Sequence, residues 1–307
     1  MAERKKVLAV VGPTASGKTS LGVKLALALN GEVVSCDSMQ VYRNMPIASA
    51  APTTEETEGV PHHLVGFAGP ETKFSVAEFI KKAEAAIDDI ISRKKLPIIV
   101  GGTGLYVDSL ISGINFLDED SESVRAELEK EADEKGIKAM LELLREVDPE
   151  TAAKYHINDR KRILRALEIY RIHGKPKSLL DRESKPSCGC YDCTWIGITY
   201  RNRDTLYERI NRRVDIMLEN GLLDEAKAAF LNDGGKTSVQ AIGHKEFFGY
   251  FKGEMPLETA VENLKTETRH YAKRQLTWFR RNKEINWIYA DETEDVLACA
   301  LKITENS

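Results

Sequence analysis

The sequence predicts an α/β fold with a parallel sheet, since short continuous apolar runs alternate with stretches of helical periodicity. We expect buried strands at residues 7–11, 32–36, 97–100 and 194–199. The first three of these strands run directly into loops of small and polar residues. Ligands of parallel sheets bind beyond the carboxyl ends of the strands, so these three loops are expected to share one crevice.

The first strand leads into Gly12-Pro13-Thr14-Ala15-Ser16-Gly17-Lys18-Thr19, a complete G-x-x-x-x-G-K-[ST] phosphate loop. A helical pattern over residues 20–29 follows, so strand, loop and helix stand in the order that the motif requires. The glycines let backbone N–H groups point at a polyphosphate, Lys18 places a charge on its terminal groups, and the Thr19 hydroxyl can hold Mg²⁺. We therefore predict a diphosphate or triphosphate site in a core of the P-loop NTPase type.

Length and composition bound the architecture. With 307 residues and 42% hydrophobic content, the chain can bury a large core and is expected to form one large domain and a smaller one. It contains no apolar run of membrane-spanning length, and its polar first residues lack the apolar core of a secretory signal. Five cysteines, an odd number in a chain too large to need disulfides, indicate a reducing compartment. We expect a cytoplasmic protein that does not contact membranes.

The loops after the second and third strands carry further candidate residues. Asp37 lies just past a strand end, where its carboxylate is a candidate base or a partner of Thr19 in binding Mg²⁺. The alternative is a helix N-cap, and both roles can hold together. In the later loop, the Thr103 hydroxyl could bond a phosphate or a base edge, and the glycines beside it would let a ligand approach the backbone.

Two groups of potential metal ligands are weaker signals. His62 and His63 are adjacent, so they point in different directions on any regular element, and no third ligand is nearby in sequence. We favour a structural role for them. Cys188, Cys190 and Cys193 lack a nearby fourth ligand for zinc and are expected to be free thiols.

Charge is distributed unevenly along a chain whose formal net charge is −4. Residues 118–134 contain nine acidic and two basic residues, whereas residues 154–213 contain fifteen basic and seven acidic ones. The all-helical stretch 116–190 interrupts the α/β pattern, which indicates an inserted arm, and its basic helix ends at Gly174.

Two later helices also carry basic side chains. Arg209 and Arg213 lie four residues apart on one helix face, where they either clamp a phosphate or are solvated charges. A helix over residues 256–281 interleaves basic residues with aromatic rings, as nucleic-acid surfaces often do. The alternative is that Trp278 and Phe279 belong to the core.

Taken in order, the motifs resemble those of tRNA dimethylallyltransferases, a family also called tRNA isopentenyltransferases. The resemblance rests on the phosphate loop, Asp37-Ser38-Met39-Gln40-Val41-Tyr42, Pro61-His62-His63-Leu64, Gly101-Gly102-Thr103-Gly104-Leu105-Tyr106, Arg162-Ile163-Leu164-Arg165-Ala166-Leu167-Glu168, Gln240-Ala241-Ile242-Gly243 and Lys273-Arg274-Gln275-Leu276-Thr277-Trp278. These motifs span nearly the whole chain. Ala48-Ser49-Ala50-Ala51-Pro52 departs from the Gly-Thr-Ala-Lys-Pro that family members usually have, and the cysteine triplet is not part of the family pattern.

The resemblance implies a nucleotide-kinase-like core of residues 1–115 and 191–307 with a helical C-terminal region. The arm of residues 116–190 would grip the tRNA anticodon stem-loop. The implied reaction transfers a dimethylallyl group from dimethylallyl diphosphate to the exocyclic N6 amine of the adenosine next to the anticodon, releasing diphosphate, with Mg²⁺ as cofactor. The phosphate loop then holds a substrate rather than ATP, and we expect a monomer.

The resemblance also implies roles for single residues. Lys18 and Arg213 would stabilise the charge on the leaving diphosphate, Asp37 would take the proton of the amine, and Thr103 would complete the catalytic set. The residues expected to contact tRNA are Asp37, Ser38, Met39, Gln40, Thr103, Arg125, Lys161, Arg162, Ile163, Leu164, Arg165, Gln240, Ala241, Ile242, Gly243, His244, Lys245, Lys273, Arg274, Gln275, Leu276, Thr277, Trp278, Phe279 and Arg280.

Two other classes of function compete with this one. A small-molecule or nucleotide kinase would share the phosphate loop, but its acceptor would not need basic helices as large as these, and no second Arg-rich lid is evident. A non-catalytic RNA-binding module would use the basic faces but has no need for a complete phosphate loop.

Overall fold

The computed structural model describes residues 4–114, 122–184, 191–231 and 241–306. The chain divides into two compact units, an α/β unit of Met1–Ile111 with Cys190–Ser307 and a helical unit of Ser112–Gly189. The boundaries predicted near residues 115 and 190 lie outside the described residues, as do Gln240 and two of the three clustered cysteines.

The α/β unit is built on a six-stranded sheet in which every pairing is parallel, which confirms the predicted fold class. Its strands are β1 (Lys5–Val11), β2 (Gly31–Cys36), β3 (His62–His63), β4 (Leu96–Gly101), β5 (Tyr191–Thr199) and β6 (Asn286–Tyr289), in the order β3-β2-β4-β1-β5-β6. The four strands predicted from the sequence are present. β3 and β6 are additional edge strands, too short to show a periodicity.

The α-helices of the described residues are, in chain order, α1 (Lys18–Ala28), α2 (Thr54–Thr57), α3 (Val76–Ser92), α4 (Gly104–Ser112), α5 (Glu122–Lys135), α6 (Ile137–Val147), α7 (Pro149–Ala152), α8 (Arg160–His173), α9 (Lys177–Glu183), α10 (Arg203–Glu219), α11 (Leu222–Leu231), α12 (Phe248–Phe251), α13 (Leu257–Phe279) and α14 (Val296–Glu305). None of them is both long enough and apolar enough to cross a membrane.

Helices cover both faces of the sheet because successive side chains of a strand point to opposite faces. Val7 and Ala9 of β1 face one core, to which α3 and α4 contribute, and Leu8 and Val10 face a second core with α1 and α14. Because the strands are parallel, the carboxyl ends of β1, β2 and β4 lie at the same edge of the sheet. Both faces of the sheet are covered, so this edge is where the candidate site lies.

The helical unit has a core of its own, formed by α5, α6, α7 and α8. Ile163 and Leu164 are 0% and 3% exposed in this core, which contradicts the assignment of their side chains to the tRNA surface. Arg125, Lys161, Arg162 and Arg165 are exposed, as a charged binding face requires. Their contact with tRNA remains a prediction.

Candidate active site

The phosphate loop connects β1 to α1 and directs the N-terminus of that helix at the edge of the sheet. Gly17 has φ +95°, a conformation that favours glycine, and α1 begins at the next residue. A Cβ at Gly12 would lie 2.3 Å from Ile198 O of β5, so only glycine fits there. Lys18 Nζ donates to Pro13 O at 3.3 Å. Free amides at a helix N-terminus beside an ammonium group form an anion site.

A cavity of about 310 Å³ lies beside this loop. Parts of the first two predicted strand-end motifs and of the later basic helices meet around it, whereas the loop after β4 does not line it. The predicted site residues that line it are Thr14, Lys18, Thr19, Asp37, Ser38, Met39, Gln40, Arg213, Ala241, Ile242, Gly243, Arg274 and Gln275. The structure thus brings together residues that are more than 200 positions apart in the sequence.

Two cations face this cavity under conditions that destabilise their charge. Burial and, to a smaller extent, nearby Arg213 lower the pKa of Lys18 to about 8, while Asp37 opposes the shift. Burial also lowers the pKa of Arg213, which Asp37 and Glu56 oppose. A bound polyanion would relieve the repulsion and the desolvation of both groups.

Both arginines of the predicted clamp on α10 reach the phosphate loop. Arg213 Nη1 lies 3.3 Å from Thr14 Oγ1, and Arg209 Nε donates to Ala15 O at 3.1 Å. They lie on one face of the helix because they are four residues apart. Arg213 lines the cavity, which favours the phosphate interpretation for this residue, whereas Arg209 is exposed and holds a backbone carbonyl of the loop.

Asp37 follows β2 and faces the same cavity. Its Oδ1 accepts a hydrogen bond from Met39 N at 2.9 Å, which closes a turn rather than the helix N-cap considered from the sequence. Its Oδ2 has no hydrogen-bond partner among the described residues, so this oxygen is available to a ligand. Nearby, Thr103 Oγ1 accepts a hydrogen bond from Ser38 N at 3.2 Å, which joins the loops after β2 and β4.

Gln40 is bound by the protein at both ends of its amide, contrary to the expectation that it is free to contact tRNA. Its Oε1 accepts from Ser35 Oγ at 2.7 Å, and its Nε2 donates to Ala50 O at 3.0 Å. Gln40 therefore fixes the backbone of the segment in which this chain departs from Gly-Thr-Ala-Lys-Pro. Because the bond is to a carbonyl, the change of side chains leaves it intact.

The carboxylate of Glu225 holds the same segment, of which Ala48, Ser49 and Ala50 form one wall of the cavity. Glu225 accepts hydrogen bonds from Ile47 N at 2.8 Å and Ala48 N at 3.0 Å, and its Oε1 lies 2.9 Å from His244 Nε2. The His244 side chain is fully buried, which contradicts its assignment to the tRNA surface. His244 and Glu225 instead position the cavity wall.

Helix α13 is joined to the phosphate loop by Gln275. Its Oε1 accepts from Thr14 N at 2.8 Å, its Nε2 donates to Gly102 O at 3.0 Å, and the residue is 4% exposed. A Cβ at Gly102 would lie 2.1 Å from Gln275 Nε2, and one at Gly104 would lie 2.2 Å from Trp278 Cδ1. These glycines make room for α13 rather than for a ligand, which corrects the interpretation of this loop from the sequence.

The sequence did not identify Tyr271 as a site residue, although it lines the cavity one turn before Gln275. Burial and the nearby Asp37 raise the pKa of Tyr271, while hydrogen bonds with Thr103 and Gln275 act in the opposite direction. Its hydroxyl therefore stays protonated at neutral pH. Tyr271 lies four residues before Gln275, a residue of the predicted motif, so helical spacing is a local signal that could have found it.

The other predicted contact residues of α13 lie either on its buried face or on its exposed face. Phe279 is 1% exposed in the core to which α3 and α4 contribute, and Trp278 packs against the same core. The Nε1 atom of Trp278 donates to Asp108 Oδ2 at 2.6 Å. Leu276 packs on α10. The aromatic rings therefore belong to the core, which contradicts their assignment to the tRNA surface. The predicted contacts that are exposed in this region are Lys245, Lys273, Arg274, Thr277 and Arg280.

Comparisons with known proteins agree with this geometry. The IPP transferase family model matches residues 40–282, and the isopentenyl transferase model matches residues 5–65. A tRNA dimethylallyltransferase from Caldanaerobacter subterraneus subsp. tengcongensis is 48% identical over 296 residues, which cover 94% of this chain and 92% of that protein.

Solved structures extend the similarity to the fold. A full-length tRNA isopentenylpyrophosphate transferase from Bacillus halodurans has 45% identity and a TM-score of 0.71, with 99% of this chain and 94% of that one covered. A eukaryotic dimethylallyltransferase acting on tRNA has 31% identity and a TM-score of 0.81, with 97% and 78% covered. Because the family model spans most of the sequence and a relative is nearly half identical along almost its full length, the chain belongs to the IPP transferase family.

Proposed function

We propose that this protein transfers a dimethylallyl group from dimethylallyl diphosphate to the N6 amine of the adenosine next to the anticodon in tRNA, releasing diphosphate. The observation that carries the proposal is the cavity in which Lys18 and Arg213 face the same space as Asp37. The relatives' names, tRNA dimethylallyltransferase and dimethylallyltransferase acting on tRNA, support the same substrates.

The phosphate loop suits the donor. As the bond between the allylic carbon and oxygen breaks, its electron pair passes to the diphosphate, whose charge increases. Lys18, Arg213 and the loop amides stabilise this charge in a site partly shielded from water, where such interactions are stronger than in bulk water. The same groups would hold the diphosphate still before reaction, which fixes the allylic carbon relative to the amine.

The residues present also fit Mg²⁺. Thr19 and Asp37 offer a hydroxyl and a carboxylate oxygen to one cavity, and oxygen is the ligand that Mg²⁺ prefers. The described residues contain no group of three or more His, Cys, Asp or Glu side chains suited to a metal ion. Mg²⁺ bound mainly through substrate phosphates and waters needs no such group. When bound, the ion would neutralise part of the charge on the leaving group.

Asp37 suits the acceptor. The N6 nitrogen forms a bond to the allylic carbon and gives up a proton, and Asp37 Oδ2 is available to take it. The adenine must leave its stack to enter the cavity. The exposed Lys273 and Arg274 of α13 would bind tRNA phosphates near its mouth, and Tyr271 would orient Thr103 beside the base. We expect the reaction to take place in the cytoplasm and the protein to act as a monomer.

The test is incubation of the protein with unmodified tRNA and dimethylallyl diphosphate, followed by mass spectrometry of the nucleosides. We expect dimethylallyl-adenosine only when both substrates are present. Binding of dimethylallyl diphosphate in preference to ATP would exclude a kinase. If tRNA stays unmodified while ATP binds more tightly and is hydrolysed, the proposal is wrong.

The Asp37→Asn variant tests the mechanism. Asn keeps the shape of the side chain but cannot accept a proton, and loss of a general base typically costs about a hundredfold to ten-thousandfold in rate. We expect this fall in the single-turnover rate with nearly normal affinities for donor and tRNA. A variant that loses Mg²⁺-dependent diphosphate binding at a near-normal rate would instead assign Asp37 to the metal, with the released diphosphate as proton acceptor.

A further inference from the structure

His62 carries a buried hydrogen-bond acceptor that the proposed reaction leaves unused. Its Nδ1 lies 2.9 Å from Val60 O. A carbonyl oxygen accepts hydrogen bonds but cannot donate them, so Nδ1 carries the proton. In the neutral ring, Nε2 is then an unprotonated acceptor. None of the described residues supplies a partner to Nε2, although this atom is buried. Burial also lowers the pKa of His62, which favours the neutral ring.

A small pocket of about 20 Å³ lies beside this ring, and we call it the His62 pocket. Besides His62, it is lined by Thr19, Ser35 and Asp37, with Val33 and Val100 among the apolar walls. A cavity needs about 10–15 Å³ to hold one water molecule, so this pocket has room for one water and not for a larger ligand. Its polar lining provides the partners that a buried water requires.

The His62 pocket adjoins the substrate cavity, because Lys18, Thr19, Asp37 and Gln40 line both. Thr19 and Asp37 are also the two residues that fit Mg²⁺. This ion keeps several of its waters when it binds to proteins through few carboxylates. A water in the His62 pocket would therefore lie next to the hydration shell of the ion.

We propose that the His62 pocket binds a single water, that His62 Nε2 accepts a hydrogen bond from it, and that this water orients the hydration shell of Mg²⁺ held at Thr19, beside Asp37. The inference rests on the proposed function, since it concerns the same donor site. His62 is a positioning residue here, because it acts through the water. Outer-sphere partners of this kind orient the direct ligands of a metal and tune its affinity.

His63 provides the contrast. Its Nε2 lies 2.8 Å from Glu32 Oε2, whose side chain is 2% exposed. His63 is thus already paired, and it does not line the His62 pocket. The two neighbours point to opposite sides of β3, as side chains of a strand do. One histidine belongs to an ion-pair network and the other faces the site.

The tautomer of His62 can be measured in the wild-type protein. In a sample labelled with ¹⁵N-histidine, long-range ¹H–¹⁵N correlation spectra distinguish the two ring nitrogens. We expect the less common form, with the proton on Nδ1 and an unprotonated Nε2. The signal is assigned by its loss in the His62→Gln variant. A proton on Nε2 in the folded protein would overturn the inference.

Two variants of His62 separate its ring nitrogens, with inorganic diphosphate as the probe. His62→Asn keeps a donor near Val60 O but removes the acceptor, whereas His62→Gln places a carbonyl oxygen near the position of Nε2. We expect the Mg²⁺ concentration for half-maximal diphosphate binding, measured by calorimetry, to rise about 10- to 100-fold in His62→Asn. His62→Gln should restore most of this loss. His63→Gln, which keeps a donor for Glu32, is the matched control and should behave as wild type.

The outcomes separate the inference from the proposed function. An unchanged Mg²⁺ requirement in His62→Asn overturns the inference, even if the wild-type protein modifies tRNA. A loss that His62→Gln does not restore, or that His63→Gln shares, would show a general structural effect and also overturn it. If the His62 and His63 variants behave as expected but the wild type leaves tRNA unmodified, the water site stands and the proposed function fails.

Discussion

Replacing Gln275 by Met tests whether helix α13 sets the geometry of the phosphate loop. Gln275 bonds Thr14 N and Gly102 O, which belong to the loops after β1 and β4. Met is unbranched and of similar length, so it fills the same space without a donor or an acceptor. The variant therefore removes the two hydrogen bonds to the loops, together with the contact to Tyr271, and opens little cavity.

The expected magnitude follows from the burial of the two groups left behind. A buried polar group that loses its partner costs about 1–3 kcal/mol. Gly102 is buried and its carbonyl cannot be rehydrated, whereas Thr14 is half-buried and its amide can recover a water. We expect a loss of about 2–4 kcal/mol in the free energy of unfolding. Without this restraint the phosphate loop must become ordered when diphosphate binds, which costs binding free energy. Each 1.4 kcal/mol or so of this ordering cost lowers the affinity for diphosphate about tenfold.

The measurement combines urea unfolding with calorimetric titration of inorganic diphosphate. Asn263→Ala, a change at an exposed position of the same helix, is the control and should alter neither quantity. If Gln275→Met unfolds at the wild-type urea concentration and binds diphosphate as tightly, the two hydrogen bonds do not hold the loop. A loss of stability with unchanged affinity would limit Gln275 to a structural role.

Three further predictions follow from contacts in the two units. Lys18→Ala should abolish diphosphate binding in calorimetry and leave tRNA affinity nearly unchanged in filter binding; the reverse pattern would contradict the assignment of the loop. Neutralising both Lys161 and Arg162, or both Lys273 and Arg274, should reduce the slope of log affinity for tRNA against log salt concentration by about 1 to 2. Arg165 is left in place because it pairs with buried Glu168. A slope equal to that of the wild type would mean that these charges are solvated and do not contact tRNA. Hydrogen bonds from Arg93 chiefly hold the pKa of buried Glu32 below its usual value, Lys95 and His63 add to this, and burial opposes it. The contribution of Glu32 to stability is therefore full above the usual carboxyl pKa of about 4.5 and is lost as pH falls through the lower folded value. We expect Glu32→Gln to cost about 2–3 kcal/mol in the free energy of unfolding at pH 7 and less in acid. An equal cost at all pH values in urea unfolding would contradict this assignment.

The sequence predicted best where local chemistry decides the structure. The phosphate loop needs a strand before it and a helix after it, and both are present. The start of α3 is also decided locally, since Ser75 Oγ accepts from Glu78 N and Glu78 in turn accepts from Ser75 N. These features depend on residues within a few positions of each other, so one sequence suffices to find them.

The sequence failed where the partner is distant in the chain. On α13, charged and aromatic residues alternate as they would on a nucleic-acid surface, but an amphipathic helix over a core gives the same pattern. Which face is buried depends on β4 and α4, far earlier in the chain, and the structure buries Phe279 while leaving Lys273 exposed. The glycines at 102 and 104 were misinterpreted for the same reason, since Gln275 and Trp278 fill the space beside them.

The place of β5 in the sheet affects how the chain is made. β1 lies inside the sheet between β4 and β5, and Lys5 pairs with Tyr191, so the whole helical unit is synthesised between these two neighbours. At roughly 5–20 residues per second, β1 waits on the order of ten seconds or more with one edge unpaired. The helical unit, whose contacts are local, can fold as soon as it leaves the ribosome. The substrate site therefore forms late in synthesis, since α13 follows β5, and until β5 pairs the open edge of β1 can pair with other chains.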